Sequence, residues 1–558
     1  MASTFNSAKK PKSVAGRSTG PRDEEQTKKE EIHTFKYSNN LRGPLHEAVI
    51  VGGSTAFLTY DRADEKIRIV TAIEEPTRTI LPIELEANPY MPYDFRDASE
   101  VESILQQARS ESIQTLHEKT RGLVEKFNDQ DAHKTVLLSA DIVLSYYLDR
   151  FSTTHYIDIV GDNGSGKSTM GETFATLGYR VVNITDPTAP NYFRVLGSLE
   201  PVQCSIVADE AESIDKSPEL IGILKAGYNI TGRVSRINPF TNKPEYFFAY
   251  CLKVIIAEKS PDLCKARGVM DRTFVLHCYR GQPQYDIKEI LVPAGNKRRQ
   301  RLLEELLHLR KLLLVYRLLH FDDPMVDLDI GVQGWNKELC KPLLQLYHGS
   351  PTQLDVIVAL QRLLDEKNER RQNTLESALY PIVSCLTKEK GNEVPVMTLW
   401  SEIISGIPGT YDDKKRYQYE TREFGTLHYN TITKIMVDKF GAKSKRKSDG
   451  AVLVFDKEKL ERFARSYTES YDSDRIRVNP IQDDDTEGDE GSNGTADASW
   501  MKSHENGAAD PVYENAIHEK PDKDNSDVPC AYCDLSFPDE KEVIGHMTTI
   551  HLQWAIRT

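Results

Sequence analysis

The stretch YIDIVGDNGSGKSTMGETFATLGY, residues 156 to 179, leaves this chain few folds to choose from. An apolar, β-branched run gives way to a glycine-rich loop closing on Lys167 and Ser168, and then to a run with helical character. Gly161 to Ser168 fits G-x-x-x-x-G-K-[ST], and a strand before it with a helix behind it is the context in which that pattern forms a phosphate-binding loop. Glycines let the backbone curl until its N–H groups point inward at a phosphate, and the helix N-terminus adds partial positive charge. Lys167 then reaches the β- and γ-phosphates of ATP while the Ser168 hydroxyl ligates Mg²⁺. The expected nucleotide-binding set is Gly161, Asp162, Asn163, Gly164, Ser165, Gly166, Lys167, Ser168 and Thr169. At average composition the bare pattern arises by chance in roughly one in fifty chains of this length. The flanking strand and helix reduce that further, against the bland alternative of a glycine-rich turn.

A hydrolase needs acidic groups at the end of a neighbouring buried strand, and CSIVADE supplies Asp209 and Glu210. Asp209 is expected to hold Mg²⁺ through water and Glu210 to polarise the attacking water. The alternative is a pair of solvated carboxylates at a strand end. A further strand, LKVIIAEKSP, ends in Glu258, Lys259 and Ser260, where a polar group that senses the γ-phosphate is expected. In GVMDRTFVLH, Arg272 precedes another strand. It is expected either to reach a neighbouring subunit's site as an arginine finger or to pair with Asp271 at the surface.

A chain of 558 residues is too long for a single core. Residues 1–32 carry mixed charge and almost no bulky apolar side chains, the composition of a disordered tail. Residues 33–130 read as a β-rich and helical module. HEAVIV, AFLTY and KIRIVTAI form strands, DRADE marks a hairpin, and Ser99 with Glu102 has capping-box spacing ahead of a helix. Residues 131–300 hold the loop and alternating strand and helix patterns, which predict a mainly parallel α/β sheet. A helical extension covers 301–370, with a long amphipathic helix from 297 to 320 leading into it. A winged-helix-like domain occupies 371–470, an acidic Gly/Asn/Asp-rich tether 471–528, and a small module 529–558.

The winged-helix reading rests on the helices PVMTLWSEIISGI and LHYNTITKIMVDKFG and on the hairpin AKSKRKSDGAVLVF. Lys443, Lys445, Arg446 and Lys447 make the hairpin's first arm cationic enough to neutralise several phosphates. Tyr429, Asn430, Thr431 and Lys434 fall early on the recognition helix, where base contacts usually lie. The alternatives are protein docking and a charged edge that blocks aggregation. In the last module Cys530 and Cys533, then His546 and His551 after a spacer of twelve residues, have the spacing of a ββα zinc finger. A closed tetrahedral Zn²⁺ supplies the folding energy so short a segment lacks. The expected base-reading positions, Asp539, Glu542 and Gly545, are acidic or bare, which favours docking of a protein over DNA reading.

The net charge of −14 excludes a chain coated throughout in basic surface, so nucleic-acid contact must come from local patches. Of eight cysteines only Cys530 and Cys533 are spaced like ligands, and several others sit in apolar runs as small hydrophobes of a reducing compartment. The N-terminus lacks the apolar core of a secretory signal, and no apolar run approaches the roughly eighteen residues that span a bilayer. The expected location is the cytosol, or the nucleus of a eukaryotic host.

The region from about 135 to 365 resembles the ATPase domain of P-loop proteins of the helicase and AAA+ groups. Within these it is similar to the domain attached to primase-helicase proteins of phages and integrated mobile elements. DPTAPNYFRVLGSLEPVQCSIVADEAE carries that family's Thr, Phe and Arg ahead of an apolar strand and Asp-Glu-Ala. ILKAGYNITGRVSRI is similar to its stretch ending in an arginine, here Arg233 or Arg236, and GWNKELCKPLLQLY to its Glu-x-x-x-Pro-Leu helix. Glu258-Lys259 departs from the small or amide residue expected at that strand end. The resemblance implies an oligomeric, ATP-driven motor or remodeller on DNA, in replication of a mobile element or virus. Two rivals stand beside it. One is an ATP-controlled DNA-binding regulator that switches without unwinding. The other is a small-molecule kinase, which leaves the Asp-Glu pair, the winged helix and the finger without a purpose.

Overall fold

The computed structural model describes residues 29–38, 44–83, 93–461 and 475–480, and the dipeptides 528–529 and 536–537. The positions 198, 213, 262, 293–295, 373–374, 408, 412–416, 420–428 and 449 are excepted. All described residues up to 480 belong to one compact unit.

Its centre is a five-stranded sheet built from β1 (Tyr156–Val160), β2 (Val181–Thr185), β3 (Ser205–Asp209), β4 (Lys253–Ala257) and β5 (Thr273–His277). Every pairing is parallel, in the order β2-β3-β4-β1-β5. Parallel strands are covered on both faces, which is why β1 and β4 are buried at every residue. Alternation sorts their side chains. Ile157 and Ile159 pack with Met170 and Phe174 of the helix Lys167–Leu177, while Tyr156, Ile206 and Ile255 pack on the other face with Leu220 and Leu224 of Pro218–Ala226. Gly171 lets the first helix sit close, since a Cβ there would lie 2.1 Å from Ile256 Cδ1.

The strand order departs from one expectation. The acidic strand β3 is not next to the loop strand β1, because β4 enters the sheet between them. The mainly parallel sheet of a mixed α/β chain is as the alternation implies.

Before the sheet, Lys36–Ser38, Leu45–Val51, Ser54–Asp61 and Lys66–Val70 form an antiparallel meander. Glu30–Thr34 pairs with Arg78–Pro82, so the residues at 30–32 belong to a strand rather than to the tail. The helix Ala98–Ser110 is capped by Asp97, whose side chain accepts from Glu100 N; Ser99 donates to Asp97 instead of forming the expected box. The Asp97 carboxylate, two residues earlier, wins the cap, and the capping box falls at Ser112 and Thr115 of the next helix, Ile113–Phe127.

The helices Lys297–His320, Gly334–Leu346 and Thr352–Gln372 follow the sheet. One continuous buried cluster runs from Leu45 through Ile157 and Leu313 to Leu364, so the meander, the sheet and these helices share a core. A separate core, including Leu379, Leu399, Ile403, Met436 and Leu453, holds the elements from Leu375–Lys390 onward. These are Glu393–Pro395, Val396–Gly406, Tyr429–Asp438, Lys443–Lys447 and Gly450–Val454, with the three strands in one antiparallel sheet.

Asn479–Pro480, placed in the tether by composition, pairs with Leu328–Asp329. Val528–Pro529 pairs antiparallel with Ser536–Phe537. Cys530, Cys533, His546 and His551 lie outside the described residues, as do most of the tail and the tether. Among the described residues no helix is long and apolar enough to cross a membrane.

Candidate nucleotide site and nucleic-acid surfaces

The loop leaves β1 at Gly161, where a Cβ would lie 2.6 Å from Ser165 Oγ and 2.7 Å from the Cys278 carbonyl. Gly164 and Gly166 take φ of 80° and 89°, the left-handed region that favours glycine. Gly166 is also the N-cap of Lys167–Leu177 and offers no side-chain bond, so the first helical N–H groups stay available to an anion. Lys167 Nζ lies 3.4 Å from Asn163 Oδ1, folded toward the loop. Behind the loop, Gln130 Nε2 donates to the Ser165 carbonyl at 3.1 Å and the Tyr279 carbonyl at 2.8 Å. Gln130 had no sequence signal; only the fold brings it there.

Asp209 stands half-buried at the end of β3 and accepts from Glu210 N at 2.9 Å. Glu210 is exposed at φ 52° and Asp186 sits at φ 50°, with its N–H on the Asp209 carbonyl. Such conformations in residues other than glycine cost about 1–3 kcal/mol and cluster at functional sites. A cavity of about 130 Å³ opens beneath, and its walls include Ser168, Glu172, Asn183, Thr185, Asp209 and Lys288. The hydroxyl and the carboxylate expected to hold Mg²⁺ thus face one space, although a strand separates β1 from β3. The cavity needs both of these strand ends at one edge of the sheet, where ligands of open α/β sheets bind.

The end of β4 is occupied by contacts within the protein. Glu258 N donates to Glu212 Oε1 at 2.9 Å, and Ser260 Oγ donates to Asp158 Oδ2 at 2.5 Å. Ser260 is therefore turned toward the interior of β1. Burial pushes the Asp158 carboxyl up to about 7, and its Oδ1 has no hydrogen-bond partner among the described residues. A folded-state value above the unfolded one means that ionising Asp158 destabilises the native state as pH rises from about 4 to about 7, by on the order of 4 kcal/mol. Asp158→Asn keeps the Ser260 bond and removes that ionisation. The variant should exceed wild type in urea midpoint modestly at pH 5 and by much more at pH 8; a margin that does not grow between the two would remove the buried charge from the account.

Arg272 lies at the start of β5, a strand length of about 16 Å from the end that carries the loop side of the sheet. Its guanidinium is stacked 4.2 Å from the Tyr228 ring and 4.1 Å from the Trp335 ring. It is not brought to the loop of its own chain.

Between β3 and β4 the chain makes a hairpin, Arg233–Ile237 with Pro244–Phe248. Asn238 fixes the turn by accepting from the N–H groups of Phe240 at 2.8 Å and Thr241 at 3.1 Å. Phe240 at the tip is 95% exposed, and Arg233, Arg236, Lys243 and Tyr246 are exposed along the arms. The two resemblance arginines are thus on one projecting element, which periodicity alone did not single out.

Farther along, Lys443–Lys447 is exposed at all five positions. Lys447 pairs with Glu393 at 2.5 Å and Lys445 stands 4.0 Å from it, which leaves Lys443 and Arg446 without a carboxylate partner among the described residues. Lys434 is exposed on Tyr429–Asp438; the side chains of Tyr429, Asn430 and Thr431 lie outside what the structure describes.

No family model and no curated protein matches the chain. Among solved structures, the apo NrS-1 C-terminal region is similar at 12% identity and a TM-score of 0.30, over 74% of this chain and 96% of that one. JCV helicase is similar at 12% identity and a TM-score of 0.22, over 48% of this chain and 68% of that one. Inhibitor-bound JCV helicase gives 13% identity and the same TM-score, 0.22, over 48% and 65%.

Proposed function

We propose that this chain is a Mg²⁺-dependent ATPase acting as an oligomeric, helicase-like motor or remodeller on DNA. The observation that carries the reading is the single cavity shared by Ser168 and Asp209 at the mouth of a glycine loop with an uncapped helix behind it. In the reading, loop N–H groups and Lys167 hold the triphosphate, Ser168 and Asp209 place Mg²⁺, and Glu210 orients the attacking water. Arg272 completes the site of a neighbouring copy, for which it must leave or reach past its aromatic stack.

The DNA contact is assigned to the hairpin and to a winged helix over 371–470. The hairpin grows out of the chain between β3 and β4, so movement of Asp209 on hydrolysis is linked to it through the intervening helix Pro218–Ala226. An exposed aromatic flanked by cations suits single strands, because bases stack on the ring while the cations track phosphates. The helix and strand order from Leu375 to Val454, with the exposed arm Lys443–Lys447, suits duplex backbone. Zn²⁺ on Cys530, Cys533, His546 and His551 would form a finger that docks a protein partner. A role in replication of a mobile element or virus belongs to the same proposal.

The test is ATP turnover titrated with single-stranded and duplex DNA, together with strand displacement. Stimulated turnover with displacement supports the motor. Stimulation or DNA binding without displacement favours the ATP-controlled regulator, turnover indifferent to every nucleic acid counts against the motor, and indifferent turnover together with no DNA binding overturns both. Phe240→Ala should weaken single-strand binding about tenfold, in line with the loss of one stacked base; unchanged affinity would remove the hairpin from the DNA path.

A further inference from the structure

We infer that Lys288 contacts the terminal phosphate of the bound nucleotide, an inference that rests on the ATP reading of the loop. Lys288 lies on Ile287–Leu291, a short helix after β5 that no motif marks. Asp286 caps that helix by accepting from Lys288 N at 2.9 Å, and Ile287 and Ile290 are buried on its inner side. The helix is thereby anchored with Lys288 exposed on its outer side, and Lys288 lines the same cavity as Ser168 and Asp209.

Charge decides what the ammonium does there. Asp209 puts a carboxylate on the same cavity, and MgATP brings further negative charge. The loop answers with one ammonium, that of Lys167. Lys288 supplies a second, and among the described residues it meets no carboxylate at ion-pair distance; its neighbour Glu289 is taken by Arg299.

Position decides which phosphate it meets. The β-phosphate lies inside the curl of loop N–H groups, whereas Mg²⁺ on Ser168 bridges outward to the γ-oxygens. A group outside the loop that lines the cavity of Ser168 and Asp209 is therefore on the metal side, nearer the terminal phosphate than the β-phosphate. Contact with that phosphate alone makes Lys288 a discriminator of ATP from ADP.

The experiment measures binding of a non-hydrolysable ATP analogue and of ADP, each with Mg²⁺, to the full chain. Lys288→Ala should bind the analogue about tenfold to a hundredfold more weakly, the range expected for one lost charged hydrogen bond. ADP affinity should stay at the wild-type value, and Lys288→Arg should restore part of the loss. Equal affinity for the analogue in wild type and Lys288→Ala overturns the assignment, and so does a parallel loss for both nucleotides, which marks a structural role. Failure of the parent reading is distinguishable, because wild type itself would then bind neither nucleotide.

Discussion

Glu210→Gln should bind MgATP as wild type does and turn it over about a thousandfold more slowly, while Lys167→Ala should fail to bind the nucleotide at all. The first figure follows from what a positioned base contributes, roughly 10²–10⁴ in rate. The amide is the same size as the carboxylate and preserves the backbone at φ 52°, so the loss isolates water activation from folding. Lys167 acts earlier. Its ammonium folds over the loop toward Asn163, and in the proposed reading it meets both the β- and γ-phosphates. Nucleotide binding by fluorescence or calorimetry, followed by phosphate release under saturating ATP, separates the two variants. Wild-type turnover in Glu210→Gln would strip Glu210 of its role and place activation of the water on another group.

The second large effect concerns stability. Glu47, on the meander strand Leu45–Val51, is fully buried and holds two arginines: Arg180 Nη2 at 2.8 Å and Arg317 Nε at 2.8 Å. The Tyr179 hydroxyl donates to the same carboxylate. Arg317 also reaches Asp149 at 2.6 Å, and Lys36 reaches Asp149 at 2.9 Å. Burial pushes the Asp149 carboxyl up, but Arg317 and Lys36 outweigh it and hold the group well below the usual carboxylate range. The cluster joins four parts of the chain: the meander, the turn Leu148–Arg150, the turn after the loop helix, and the helix Lys297–His320. Glu47→Ala leaves two buried guanidinium groups without their shared counter-charge. Removing one partner of a buried pair costs about 3–5 kcal/mol, so the midpoint of thermal or urea unfolding should fall steeply. A loss under about 1 kcal/mol, the range of an exposed ion pair, would show that the cluster is not a keystone.

Neither effect was equally visible beforehand. Lys167 and Glu210 stand in short patterns whose geometry is settled by neighbours a few positions away: glycines that permit positive φ, an apolar run that must be a strand, an acid at its end. The same locality made the long helix from Lys297 and the hairpin at Ser448 readable from spacing. Ser99 shows the limit even of local rules, since Asp97 competes for the same N–H groups and wins them.

Local chemistry along the backbone was thus enough to announce a glycine-rich loop between strand and helix, an acidic strand end and a mixed α/β core. Distance along the chain hid the rest. Glu47 and Arg317 are far apart in sequence, as are Asp158 and Ser260, or Ser168 and Lys288, and no periodicity links them. Their meetings depend on β4 entering between β1 and β3, and on which helices close over each face. Burial and strand order are properties of the packed whole, because every apolar face must find a cover at once, and a window of neighbouring residues carries no record of that choice.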